Sequence, residues 1–143
     1  MSRPDLIEYR NLIEHAKNLA PNEISIAKFV AKVWKNKYCL TTDGGKDRWF
    51  KFNGERWETS NAIKYELQNK ISDEIPDFIV EARRDIREEL QNTNTDQTVI
   101  DIRMKRILHV EQMLYSISTV NTIIKALESR LYREKLPEIA LTI

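Results

Sequence analysis

A mainly α, α+β fold, with a small three-stranded antiparallel meander between the second and third helices, is the class this sequence predicts. Three observations predict it. The 143 residues include three Gly and four Pro, too few for a many-turned β-sandwich or a glycine-built phosphate loop. Apolar residues recur at helical spacing before Tyr38 and again after Ser60. All three Gly fall between Tyr38 and Thr59, among β-prone aromatic runs. The length fits one domain, with a helical pair over 1–37, the meander over 38–59 and a helical part over 60–143.

A first helix is expected over Arg3–Asn18, with Leu6, Tyr9, Leu12, Ile13 and Ala16 on one face and Pro4 in the first turn. Asn22 caps a second, running to about Asn36, whose apolar face is Ile26, Phe29, Val30, Val33 and Trp34. Strands are expected over Tyr38–Thr42, Arg48–Phe52 and Arg56–Thr59, joined by Asp43-Gly44-Gly45-Lys46 and by Asn53-Gly54 as a two-residue turn. A third helix starts near Ser60 or Asn61, with Ala62, Ile63, Leu67, Ile71 and Ile75 as its stripe. Pro76 interrupts or kinks the helical run, and Phe78–Leu90 continues as a charged helix. Two more helices are expected over Thr98–Tyr115 and Ser118–Lys135, the last closed by Pro137. The ending Glu138–Ile143 is too apolar for a solvated terminus and suggests a chain excised from a longer protein.

Several function classes fall away. A single Cys, Cys39, forms no internal disulfide and fits a reducing, intracellular compartment. No apolar run approaches the roughly 20 residues of a membrane helix, and Met1–Asp5 does not read as a signal peptide. Two histidines, His15 and His109, and one Cys are a thin ligand supply for zinc, and both read as surface or semi-buried helix residues. No nucleophile elbow, Walker loop or HExxH occurs. Neither a catalytic residue nor a metal or cofactor site is assigned.

The most informative stretch is Lys28–Arg56. Eight basic residues (Lys28, Lys32, Lys35, Lys37, Lys46, Arg48, Lys51, Arg56) stand against three acids, a local +5 in a chain of net +1. Cations interleaved with Trp and Tyr are typical of a nucleic-acid surface. Lys28, Lys32, Lys35, Arg48, Lys51 and Arg56 are therefore the candidate DNA contacts. A two-residue Asn53-Gly54 turn would pair Phe52 with Glu55, Lys51 with Arg56, Phe50 with Trp57 and Trp49 with Glu58. Phe50, Phe52 and Trp57 would then face the core, leaving Lys51 and Arg56 side by side on the other face. That repulsion costs roughly 0.2–1 kcal/mol. A phosphate would offset it, or both side chains splay into water beside Glu55 and Glu58.

Trp34 and Trp57 read as core, and Trp49 lies on the basic face or covers a neighbouring helix. Cys39 reads as a small core residue. Arg83, Arg84 and Arg87 alternate with Glu81, Asp85, Glu88 and Glu89, the pattern of a solvated helix. Arg103, Lys105 and Arg106 form a smaller basic cluster. Both groups read as solubility features, with a subunit interface as the alternative.

The run from Ile26 to Tyr38, followed by Arg48-Trp49-Phe50-Lys51-Phe52-Asn53-Gly54-Glu55-Arg56-Trp57 and a long helical stretch, resembles a known pattern. It is similar to the collar-like domain that precedes the superfamily-three helicase motor in poxvirus-type and other large-DNA-virus primase–helicases, and in phage and plasmid primases of the satellite-phage type. The likeness is clearest over residues 24–75. Its matching positions, Trp49, Phe50, Phe52, Gly54 and Trp57, read in that family as hairpin scaffold.

The resemblance implies a non-catalytic domain of a replicative helicase–primase, supporting ring assembly and sequence-independent DNA contact. Its partners would be DNA, further copies of itself, and primase and helicase domains of the same chain, with no membrane. ATP and Mg would belong to a motor outside these residues. The location would be host cytoplasm, a viral replication site or bacterial cytoplasm. Two other readings stand beside it: a winged-helix sequence reader with Lys51 and Arg56 on the wing, and a protein-interaction module using the late helices and the apolar ending.

Overall fold

Spacing of apolar residues sets the helices, and they form largely where it places them. A computed structural model describes residues 3–138. Its order is α1 (Arg3–Ala16), α2 (Glu23–Trp34), β1 (Tyr38–Asp43), β2 (Lys46–Phe52), β3 (Trp57–Thr59), α3 (Ile63–Asp73), α4 (Ile75–Asn92), α5 (Gln97–Met113) and α6 (Ile117–Leu131). The expected fold class is the observed one: a mainly helical chain with a three-stranded antiparallel sheet, β1-β2-β3, between α2 and α3. The apolar ending from Ile139 lies outside the described residues.

α2 lies at the centre. Asn22 is extended, and its Oδ1 accepts the Ser25 N–H at 2.8 Å, satisfying one of the helix's orphan donors. Ile26, Ala27, Phe29, Val30, Val33 and Trp34 are all buried. They share one apolar cluster with Leu67 and Ile71 of α3, Ile79 and Ile86 of α4, Ile107 and Val110 of α5, and Ile123 and Leu127 of α6. α1 enters this core through Ala16, and its Ile13 is also buried, whereas Leu6, expected on the same face, is 52% exposed, one turn beyond the Tyr9–Phe78 ring contact. Pro76 does interrupt the chain. The Glu74 N–H closes α3 on the Lys70 carbonyl at 2.8 Å, and Pro76 takes a first-turn position of α4, where its missing N–H costs nothing. α4 therefore starts at Ile75, three residues before Phe78.

The sheet departs from expectation at its second turn. Asp43 pairs with Lys46 around Gly44 and Gly45, both at positive φ (61° and 82°), so this is the tight two-residue hairpin. Asn53-Gly54 is not. A tight turn of that kind needs positive φ at both central residues, and no non-Gly residue in the described chain has one. Asn53 instead accepts the N–H groups of Glu55 (2.8 Å) and Arg56 (2.9 Å) on its Oδ1, opening a four-residue loop. The register shifts accordingly: Phe52 pairs with Trp57, Lys51 with Glu58 and Phe50 with Thr59. Asn53→Ala is expected to cost about 1 kcal/mol by removing that acceptor, read as a lowered midpoint in thermal unfolding.

The inner and outer faces are also the reverse of those expected. Tyr38, Leu40 and Trp49 share one face and belong to the helical core. Cys39, Phe50, Phe52 and Trp57 share the other, away from the helices, and Trp57 is half-buried there rather than in the core. That outer face is crossed by the chain after α6. The last helix stops at Leu131, four residues before the expected end, because Tyr132 turns extended and bridges Leu40 in parallel. The Arg133 N–H donates to the Leu40 carbonyl at 2.8 Å, Thr41 Oγ1 to the Glu134 carbonyl at 3.3 Å, and Trp57 Nε1 to the Pro137 carbonyl at 3.1 Å. The free edge of β1 is thus met at Leu40, whose carbonyl would otherwise be open to another chain.

Candidate nucleic-acid interface

The six candidate cations do not form one patch. Lys28 and Lys32 of α2 and Lys35, which caps its end, lie on a single exposed stripe opposite the buried residues of the helix. None of the three meets a carboxylate within 4.0 Å among the described residues. Lys37 comes next, also exposed, and its carbonyl accepts the Phe52 N–H at 2.9 Å, joining the end of α2 to the base of the 53–56 loop. On that loop Arg56 is exposed, with Nε 3.7 Å from Glu58. Arg48 lies on the outer face of β2, 4.0 Å from Asp43.

Lys51 is differently placed. It stands opposite Glu58, not Arg56, so the like-charge pair expected of the hairpin does not exist. On the inner face, its Nζ donates to Glu66 Oε1 of α3 at 2.7 Å, and Glu66 Oε2 accepts the Tyr38 hydroxyl at 2.6 Å. Lys70 lies over the Tyr38 ring, 5.3 Å from its centroid, and pairs with Glu74 at 3.7 Å. Burial alone would raise the Glu66 carboxyl, but hydrogen bonds from Lys51 and Tyr38, with the charges of Lys51 and Lys70, hold it below its ordinary value. Burial, and then the bond to Glu66, push the Tyr38 hydroxyl well above its ordinary value. A hollow of about 240 Å³ opens beside this network, lined by Lys51, Glu58, Ser60 and Glu66 among others. With two carboxylates against one ammonium it repels an anion, so Lys51 serves as a tie between sheet and α3.

The scaffold residues divide between the two faces. Trp49 (9% exposed) packs in the helical core, Phe50 is buried on the outer face, and Phe52 stacks on Trp57 with ring centroids 5.4 Å apart. Gly54, at φ +100°, carries the bend of the loop. Trp34, on the buried face of α2, is fully buried against Tyr38 and offers no face for base stacking.

Sequence reasoning missed Glu66 and a second tie. Glu89 of α4 pairs with Lys17, just past α1, and with Arg103 of α5 at 2.7 Å. Hydrogen bonding from Lys17, outweighing burial, keeps the Glu89 carboxyl below its ordinary value, with Arg103 adding to the effect. His15 faces Phe29 edge-on, its Nδ1 buried without a hydrogen-bond partner among the described residues. Burial and then the nearby charge of Lys32 lower its pKa. Among the described residues no three or more His, Cys, Asp or Glu converge to hold a metal, and no helix is long and apolar enough to cross a membrane. No protein-family model matches the sequence, and no curated protein matches it.

Proposed function

We propose that this is a non-catalytic domain of a replicative helicase–primase that holds nucleic acid by its phosphate backbone, without reading sequence, through the lysine stripe of α2. The observation that carries the reading is the set Lys28, Lys32 and Lys35: exposed, on one stripe, and without carboxylate partners among the described residues. They span about 10 Å along the helix axis at 1.5 Å per residue, a length over which a DNA strand offers more than one phosphate. Arg56 and Lys37, at the loop and the end of α2, extend the positive surface. The resemblance of the aromatic hairpin to the collar-like domain supports the assignment to a ring-forming helicase–primase. In that setting the ATP and Mg would be bound by a separate motor domain.

The winged-helix alternative is less well supported. The β2–β3 hairpin is covered by helices on one face and by the chain after α6 on the other, so the 53–56 loop is its exposed part. The test is DNA binding across a salt series. Three phosphate contacts give a slope of roughly −2 to −3 in log K against log salt. Lys32→Glu with Lys35→Glu is expected to reduce that slope by about 2 and to weaken all sequences alike. Lys51→Glu should leave the slope unchanged. Undiminished binding by the α2 variant, or a strong preference for one duplex, would remove this reading.

A further inference from the structure

We infer that the groove between α4 and α5 is a docking site for an acidic amphipathic helix of a partner protein. This goes beyond nucleic-acid contact and rests on different residues. α5 carries apolar side chains beyond its buried face. Ile100, Ile107 and Val110 are buried in the core, yet Val99, Ile102 and Leu108 are 48%, 57% and 42% exposed. A helix with apolar surface beyond its core stripe has a second surface to cover. The groove has a volume of about 520 Å³, with Ile102, Met104 and Leu108 as its apolar lining and Arg83, Arg87 and Lys105 around them.

Charge selects the occupant. Arg83 is tied to Glu111 at 3.2 Å, but Arg87 and Lys105 are exposed and meet no carboxylate within 4.0 Å among the described residues. The acid in the lining, Asp101, accepts a hydrogen bond from Gln97 at 2.8 Å. Asp101 keeps its charge, and Arg83, Arg87 and Lys105 outnumber it, so the lining is net positive around its apolar residues. The complement is a helix with Leu, Ile or Phe at i, i+3, i+4 and i+7, flanked by Asp and Glu. Nucleic acid is a poorer fit, because the floor offers phosphates nothing and no aromatic side chain lines the groove for stacking. Arg83 and Arg87 each lie two positions from Asp85, which pairs with Arg10 of α1. Two positions turn the helix by about 200°, so the groove opens on the flank of α4 opposite α1.

The probe is a synthetic peptide of about 18 residues, five helical turns, with Leu along one stripe and Glu beside it, titrated into ¹⁵N-labelled protein. Amide shifts are expected at Arg83, Arg87, Ile102, Lys105 and Leu108. Arg87→Glu with Lys105→Glu should weaken binding by about tenfold or more with an unchanged thermal midpoint, and should gain affinity for a second peptide carrying Lys in place of Glu. Four results would overturn the inference: no shift at these residues up to about 1 mM peptide, shifts confined to another face, charge-reversed protein binding the Glu peptide as well as before, or the same residues answering to DNA instead. Loss of DNA binding in the α2 variant leaves this titration unaffected, so the two readings fail separately.

Discussion

A chain ending at Leu131 is expected to lose about 3 kcal/mol of stability and to expose Cys39 to thiol reagents. The three hydrogen bonds between the sheet and the chain after α6, from the Arg133 N–H to Leu40, from Thr41 to Glu134 and from Trp57 to Pro137, contribute roughly 1 kcal/mol each, and the outer face of the sheet loses its cover. Cys39 is 2% exposed on that face. Burial raises its thiol pKa, a shift partly opposed by the charge of Arg133 in the crossing segment. Native-state labelling with an aromatic disulfide should be slow in the full chain and fast in the shortened one. Arg133→Pro, which removes a single N–H, should fall between them. Equal labelling rates would mean that the segment does not cover the sheet.

Glu66→Ala should be the next most costly change, at about 2–3 kcal/mol. It leaves the Tyr38 hydroxyl without its acceptor in a residue 1% exposed, and an unsatisfied buried polar group costs about 1–3 kcal/mol. The lost Lys51 pair adds less, because both side chains are more than 30% exposed. Glu66→Gln can still accept from Tyr38 and should cost about half as much.

The pH profile separates these terms. Glu66 and Glu89 lie below the ordinary carboxyl value of 4.5, so their contribution is complete above pH 4.5 and is lost as pH falls. His15, lowered from 6.5, is buried neutral and begins to erode stability below that pH. Tyr38, raised from 10.0, contributes fully below pH 10 and loses its contribution above it. The buried Cys39 thiol, raised from 9.0, contributes in the same sense as Tyr38 from pH 9 upward, so stability should plateau between about pH 6.5 and pH 9. Glu66→Ala should flatten the acid limb in chemical unfolding measured from that plateau down to acid pH.

The helices were legible because their apolar spacing is unambiguous: Ile26 to Trp34 and Val120 to Leu131 name the buried residues of α2 and α6. The strands were legible too, but not which side of the sheet meets the helices. One face carries Tyr38, Leu40 and Trp49, the other Cys39, Phe50, Phe52 and Trp57. Alternation carries no sign when both sides are apolar. The hairpin register was hidden by Asn53, whose side chain accepts two loop N–H groups and so stabilises a longer connection than Asn-Gly normally forms. Tyr132–Lys135 has helix-forming composition, and only tertiary pairing with Leu40 draws it straight. For the candidate site, the α2 lysines could be read directly from i, i+4, i+7. The engagement of Lys51 could not, since its partner Glu66 lies on a different element.

The pairing of β1 with the chain after α6 also bears on how the molecule is made. Thr41 and Glu134, which it brings together, are 93 positions apart. During synthesis the hairpins and α2 can form early from neighbours, yet β1 keeps an open hydrogen-bonding edge until the ribosome has released residues beyond Glu134. Over those 93 positions the nascent chain therefore presents a strand that another nascent copy could pair with. At 5–20 residues per second that window lasts roughly 5–20 s, during which the order of emergence leaves the edge open to such pairing.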